Sequence, residues 1–157
     1  MENVYQRRAD LIPNLVATVK GYASHEKEVF ESVAASRSQV GSIKVTQEML
    51  DNPAEFQKFQ QAQDGLHSAL SRLLAVAENY PELKANQNFL DLQSQLEGTE
   101  NRITVERKRF NDVAQQYNTR IMQFPANIFA RLFNFQKKAY FQSAPGSEKA
   151  PTVDFSK

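Results

Sequence analysis

The apolar residues between Pro81 and Pro125 recur every three or four positions, and no proline interrupts them. This spacing predicts one long amphipathic helix that buries one face. At about 1.5 Å per residue, the helix would be roughly 55–60 Å long. The positions on the predicted face are Phe89, Leu92, Leu96, Thr99, Ile103, Phe110, Val113, Tyr117 and Ile121.

Prolines and one asparagine mark the ends of the other predicted helices. Asn52 is a suitable helix cap directly before Pro53, and proline is favoured in the first turn of a helix. Pro13 lies inside an apolar repeat, which predicts a first helix that begins before it and is kinked there. The predicted helices are A, which ends near residue 40, B at 53–79, C at 86–124 and D at 126–141.

These helices, together with the lack of strand-like alternation, predict an all-α protein. Short connections favour an antiparallel up-and-down bundle of three long helices and a shorter C-terminal fourth helix. We assign residues 1–141 to this bundle and residues 142–157, rich in Ser, Gly and Lys, to an irregular tail. A chain of 157 residues is long enough to bury a substantial core in one domain.

Composition narrows the classes of function. The 19 basic and 18 acidic residues give no strong field, and the run Arg107 to Arg109 is typical of a solvated helix face, so nucleic-acid binding is not expected. The absence of cysteine excludes disulfides and thiolate chemistry. No apolar stretch approaches the roughly 20 residues needed to span a bilayer. No phosphate-binding loop, nucleophile elbow or catalytic triad is found, so we predict neither an enzyme nor a cofactor.

Polar residues interrupt the predicted buried faces at one level of the bundle. Glu26 stands where helix A should be apolar, and the spacing between turns places it level with Asn101 of helix C. Gly21, Gly65 and Gly98 fall near the same level, which predicts close approach of the helices. The predicted polar layer comprises Glu26, Glu97, Glu100, Asn101 and Arg102.

Two interpretations of this layer remain open. The favoured one is a structural network, such as an ion pair between Glu26 and Arg102, because a buried carboxylate is costly unless it is paired. The alternative is a metal or ligand site that adds His25 to the carboxylates. Di-metal bundles use Glu-x-x-His on two helices, and neither His25 nor His67 has a glutamate three residues before it. We therefore predict no metal.

Six of the 11 phenylalanines lie in the last 34 residues. Most of these rings should pack in the core, but a surplus of exposed rings would mark a surface for a partner. The candidate partner surface consists of Phe129, Phe133, Phe135 and Tyr140.

Over nearly its whole length the chain resembles the LemA family. The resemblance rests on residues 7–16 (RRADLIPNLV), 19–22 with His25 and Glu26, 80–86 (YPELKAN) and 96–103 (LEGTENRI). It continues through Arg107, Arg109, Asn111, 117–118, 124–125 and 140–141.

The resemblance implies a helical bundle that one N-terminal transmembrane helix, missing from this sequence, tethers to the bacterial cell membrane. The chain itself would then be a soluble piece of a single-pass membrane protein. Such proteins have no established catalytic activity, and one branch of the family is linked to magnetosome formation. We therefore expect a non-enzymatic, membrane-anchored scaffold or protein-interaction domain with an unidentified protein partner. The alternative is a metal- or ligand-binding bundle that uses the polar layer.

Overall fold

A computed structural model describes residues 2–123, 132 and 138–141 of the chain. The regular structure of these residues is entirely helical. Its elements are α1 (Glu2–Lys20), α2 (Lys27–Gly41), α3 (Gln47–Asp51), α4 (Pro53–Val76), a 3-10 turn (Ala77–Asn79), α5 (Pro81–Lys84) and α6 (Gln87–Met122).

The second and third predicted helices are confirmed. Predicted helix B corresponds to α4 and the 3-10 turn that follows it, and helix C corresponds to α6. The side-chain Oδ1 of Asn52 accepts a hydrogen bond from the backbone N–H of Ala54 at 3.0 Å, and Pro53 is the first residue of α4. The expected cap therefore starts α4, because it satisfies a backbone donor that has no partner within the helix.

The prediction of one continuous helix A is wrong. The helix does begin before Pro13, as expected, but α1 ends at Lys20 and α2 starts only at Lys27. The backbone N–H groups of Tyr22 and Ala23 both donate to the carbonyl of Val19, at 3.1 and 2.8 Å. These bonds tighten the last turn of α1 directly after Gly21, a residue with weak helix propensity.

Short helices fill two connections that were predicted to be turns. The side chain of Thr46 accepts a hydrogen bond from the backbone N–H of Met49 at 3.1 Å and thereby caps α3. Pro81 occupies the first turn of α5, whose buried residue is Leu83. Each short helix buries one apolar side chain, so the connections also contribute to packing.

The chain divides into two compact units. The first consists of Met1–Lys44 and Gln61–Thr104, and the second of Val45–Gln60 and Val105–Lys157. The core of the first unit draws on α1, α2, α4 and α6, since apolar side chains at three-four spacing on all four helices enter one cluster. Its most deeply buried members include Leu15, Val19, Val33, Leu66, Leu73 and Leu83.

Hydrogen bonds within the first unit join α1 to α6 and α2 to α4. Along α1 and the residues just after it, the residue number rises from one hydrogen bond to the next, while the number of the bonded residue on or just before α6 falls. The same is true of α2 and the segment from α4 to Tyr80. The pairs are Arg8 with Glu100, Thr18 with Asn88, Tyr22 with Asn86, Ser32 with Arg72 and Glu26 with Tyr80. The end of α1 therefore lies beside the start of α6.

Aromatic rings form the centre of the second unit. The ring centroids of Phe56 and Phe110 are 5.3 Å apart, and that of Phe141 lies 4.9 and 5.4 Å from them. Such separations are typical of favourable ring contacts. Residues 138–141 lie outside any helix, which corrects the predicted end of helix D. The rest of helix D apart from residue 132, and the predicted tail, fall outside the described residues.

Candidate functional site

The first unit contains an arginine that is almost completely buried. Arg8 on α1 is 1% exposed. Its Nη1 donates to Oε1 of Glu100 at 3.0 Å, and its Nη2 donates to the backbone oxygen and Oε1 of Gln63, at 3.0 and 2.5 Å. A charge out of contact with water requires such partners, because its desolvation costs several kcal/mol. Helices α1, α4 and α6 each supply one member of this network.

The guanidinium of Arg8 also lies near an aromatic ring. Its guanidinium carbon lies 5.6 Å from the centre of the Tyr5 ring, one turn earlier on α1. The Nε atom is buried and has no hydrogen-bond partner in the described part of the chain. The carboxylate of Glu100 forms an ion pair with this cation and compensates its charge.

Glu100 joins the buried arginine to a half-exposed histidine. Its Oε2 lies 3.0 Å from Nδ1 of His67. The hydrogen bond with Glu100 raises the pKa of His67 above 6.5, although burial opposes this shift. Burial alone would raise the pKa of Glu100, but the hydrogen bond with His67 and the charge of Arg8 outweigh it and lower that pKa below 4.5. Glu100 therefore remains a carboxylate at neutral pH and bridges two groups that favour its ionised form.

A cleft of about 210 Å³ opens beside this bridge. It is lined by three leucines and by His67, Ser71, Glu97, Glu100 and Asn101. Sites for small molecules usually have volumes of about 300–1,000 Å³, so this cleft is small for a substrate pocket. The structure brings three residues of the predicted polar layer, Glu97, Glu100 and Asn101, to this cleft.

The predicted layer is not buried as a whole. Glu97, Asn101 and Arg102 are exposed, and Glu26 is half-buried and accepts a hydrogen bond from the hydroxyl of Tyr80 at 3.4 Å. The expected pairing of Glu26 with Arg102 is therefore wrong. A continuous first helix would place Glu26 level with Asn101. The break after Lys20 instead places Glu26 beside Tyr80, which follows the C-terminal end of α4.

The metal alternative gains no support from the described residues, among which no three His, Cys, Asp or Glu side chains are placed to hold an ion together. The predicted close approach at the glycines is also wrong. A Cβ atom added to Gly65 or Gly98 would meet nothing within 4 Å, and both residues are exposed.

Sequence reasoning did not identify Arg8 as a buried polar residue. The signal was present, because Tyr5, Arg8, Ile12 and Leu15 follow the same three-four spacing that marks the buried face of α1. Tyr5, Ile12 and Leu15 are buried on that face, and Arg8 is buried with them.

The second unit contains a different polar arrangement, in which two asparagines on α6 bind the backbone of residues 138–141. Asn118 accepts a hydrogen bond from the N–H of Lys138 at 2.6 Å and donates to its carbonyl at 2.9 Å. Asn111 does the same with Phe141, at 2.8 and 3.3 Å. We refer to Asn111 and Asn118 as the asparagine clamp. Each clamp residue satisfies both backbone polar groups of one residue, as a neighbouring β-strand would.

Both ends of the clamped segment are also held by their side chains. The ammonium of Lys138 forms an ion pair with Asp51 at the end of α3 and lies 5.3 Å from the centre of the Tyr117 ring. The ring of Phe141 packs on the phenylalanines of the second unit, and the guanidinium of Arg107 lies 4.8 Å from its centre. The segment is therefore anchored by a cation at one end and an aromatic ring at the other.

The predicted partner surface is only partly described. Phe129, Phe133 and Phe135 lie outside the described residues. Tyr140 is half-buried, and its hydroxyl accepts a hydrogen bond from Nδ2 of Asn118 at 3.1 Å. This tyrosine thus contributes to the clamped segment.

Comparison with known proteins identifies relatives along almost the whole chain. The family model of the LemA family matches residues 1–155. Magnetosome protein MamQ 2 of Paramagnetospirillum magneticum is 28% identical over 163 residues, which cover 94% of this chain and 60% of that protein. MamQ of Magnetospirillum gryphiswaldense is 27% identical with the same coverage. Protein LemA of Metamycoplasma hominis is 27% identical over 139 residues, or 88% of this chain and 59% of that protein. The chain thus spans about 60% of the length of these relatives.

Proposed function

Because this chain belongs to the LemA family, we propose that it is a non-enzymatic, membrane-associated helical domain that acts as a scaffold or protein-interaction module. Two of the relatives named above are magnetosome proteins. None of the described helices is long and apolar enough to cross a membrane. Anchoring to the bacterial membrane by one N-terminal helix, which the family resemblance implies, is part of this proposal.

The bundle topology forms a second part of the proposal. We infer an up-and-down order for α1, α2, α4 and α6 within the first unit. Hydrogen-bonded residues occur in opposite order along α1 and α6, and along α2 and α4, which supports this order. A core to which all four helices contribute also supports it. Such a bundle provides a rigid body from which an interaction surface can be presented.

Exposed apolar side chains in the second unit are the observation that carries the interaction function. Val105 and Val113 on α6 are 55% and 60% exposed, and Leu132 is 72% exposed. Residues eight positions apart are offset by about 80° around a helix and about 12 Å along it, so the two valines lie on adjoining parts of one side of α6. Leu132 falls in the sequence between Phe129 and Phe133, two members of the predicted partner surface. Apolar patches of this kind are typical of sites for other proteins.

The proposal is tested by recovering partners from native membranes with the full-length protein. Val113→Asp places a charge on the exposed face of α6, and Gln116→Asp, at an exposed position one turn away, is the matched control. We expect Val113→Asp, and separately Phe133→Asp, to reduce the recovery of a cross-linked partner while the control retains it. Equal recovery with all variants would contradict an interaction through this surface. Flotation of the full-length protein with vesicles tests the membrane anchor separately.

A further inference from the structure

The asparagine clamp has the dimensions of a site for an extended peptide. Asn111 and Asn118 are seven residues apart, which corresponds to about 10.5 Å along a helix. The residues that they bind, Phe141 and Lys138, are three residues apart, which corresponds to about 10 Å in an extended chain but only about 4.5 Å in a helix. Two turns of α6 therefore match three steps of an extended segment that runs in the opposite direction.

Some contacts of the clamp do not depend on the sequence of the bound segment, and others do. The four hydrogen bonds of Asn111 and Asn118 involve only backbone groups of the segment. The sequence-dependent contacts lie at the two ends of the segment. Asp51 and the Tyr117 ring receive the ammonium of Lys138, and three side chains surround the ring of Phe141. This combination of backbone hydrogen bonds and side-chain pockets is how domains that bind extended peptides work.

We propose that the asparagine clamp is a peptide-binding site for an extended segment with a lysine and, three residues later, a phenylalanine. Residues 138–141 of the same chain occupy it in the structure, and the same residues of a second copy occupy it when two copies are held close together. This inference deepens the proposed interaction function by naming the site and the occupant, and it rests on that function.

A second copy is the occupant that the structure supports best. Its residues 138–141 carry the same ammonium, ring and backbone groups, so an exchange between copies preserves every contact of the clamp. A segment on the same chain competes with an effective concentration of the order of millimolar. Binding of the segment from a second copy is therefore favoured only at a high local concentration of the protein. An experiment must weaken binding of the segment on the same chain.

Two variants of the whole chain weaken that competition. The segment variant, Lys138→Ala with Phe141→Ala, leaves the clamp intact but retains only the backbone hydrogen bonds of its own segment. The groove variant, Asn111→Ala with Asn118→Ala, retains the segment but loses these four hydrogen bonds. In a mixture, only the groove variant's segment and the segment variant's clamp form a complete pair. We expect a one-to-one complex by size exclusion with light scattering at about 100 μM, and no complex from either variant alone.

A labelled peptide of residues 136–143 provides an independent measurement. We expect the segment variant to bind it at least about tenfold more tightly than the groove variant does, because the latter lacks four hydrogen bonds. A peptide with both anchors replaced by alanine is the matched control. Circular dichroism establishes that the variants are folded, and Lys138→Ala alone replaces the segment variant if the double substitution loses helix.

The outcomes distinguish this inference from the proposed function. Equal peptide binding by the two folded variants would overturn the clamp as a peptide site, even if partner recovery still depended on Val113. Peptide binding without a complex in the mixture would overturn the second copy as occupant. Loss of partner recovery only on substitution of Val113, with intact peptide binding, would assign the two surfaces to separate interactions and uphold the inference.

Discussion

The buried ion pair of Arg8 and Glu100 makes a quantitative prediction about stability. Glu100→Gln removes the negative charge but preserves size and one acceptor oxygen. Breaking a buried pair on one side costs about 3–5 kcal/mol, because the remaining charge is uncompensated. Glu100 is 23% exposed, and Gln63 still accepts two hydrogen bonds from Arg8. We therefore expect a loss of about 2–3 kcal/mol, below the full range.

Urea unfolding at pH 7, followed by circular dichroism, measures this loss. A domain of this size loses about 2–4 °C in Tm per kcal/mol, so Glu100→Gln should lower Tm by roughly 5–10 °C. Glu97→Gln is the matched control, because Glu97 lies on the same helix but is exposed. We expect the control to change the free energy of unfolding by no more than about 0.5 kcal/mol.

A double-mutant cycle with Arg8→Met separates the ion pair from other effects of the substitution. Arg8→Met removes the buried charge but also deprives the Gln63 oxygens of their donor, so it should destabilise by itself. The double variant should cost at least about 1 kcal/mol less than the sum of the single changes, because Glu100→Gln no longer leaves an unpaired cation. Additive costs, or a loss below about 1 kcal/mol for Glu100→Gln, would refute the argument.

Three further predictions concern single positions. His67→Gln should destabilise the protein most at pH 5.5, below the unfolded pKa of about 6.5, and this loss should vanish as pH rises through the raised folded pKa of His67. Urea unfolding at pH 5.5 and 8.5 measures the loss, and an equal loss at both pH values would contradict the prediction. Gly98→Ala should stabilise by about 0.5–1 kcal/mol, since its added Cβ meets no neighbour, and a lower Tm would contradict this. Asn86→Ala should cost about 1 kcal/mol in urea unfolding, because Asn86 caps α6 at the N–H of Phe89, whereas Asn88→Ala, also near the start of α6, should cost less.

The bounds of α4 and α6 could be predicted because local chemistry decides them. Asn52 and Pro53 start α4 through a cap and a preset backbone angle, and both effects act within three residues of the boundary. The apolar spacing of α6 located the helix, but the predicted face is wrong in its second half: Val113 is 60% exposed, whereas Asn111, Ala114 and Asn118 are buried. Where local propensity and packing agree, the sequence is sufficient to locate the helix.

The break between α1 and α2 could not be predicted from spacing. The series Val19, Tyr22, Glu26, Val29 and Val33 maintains the three-four pattern across a segment that is not helical. Val19 and Val33 are buried and Val29 packs against the core, whereas Tyr22 in the connection is 39% exposed. A chain that leaves the helix and re-enters another can therefore keep most of an apolar series at the core. Gly21 was the local signal for the break, but a glycine also occurs within α4 and α6, so it is ambiguous alone.

This one break explains why the predicted level of Glu26 was wrong. If α1 ends beside the start of α6, where Tyr22 meets Asn86, counting back along α1 and forward along α6 brings Arg8 level with Glu100. If the first helix instead continues to residue 40, the same count brings Glu26 to that level. Local spacing therefore shows that a charged residue lies on the inward face of its helix. Which residue it pairs with depends on the position of every turn in the chain between the two. Arg8 and Glu26 both occupied apolar positions of the repeat, and only the direction of the chain after Lys20 decided which of them faces Glu100.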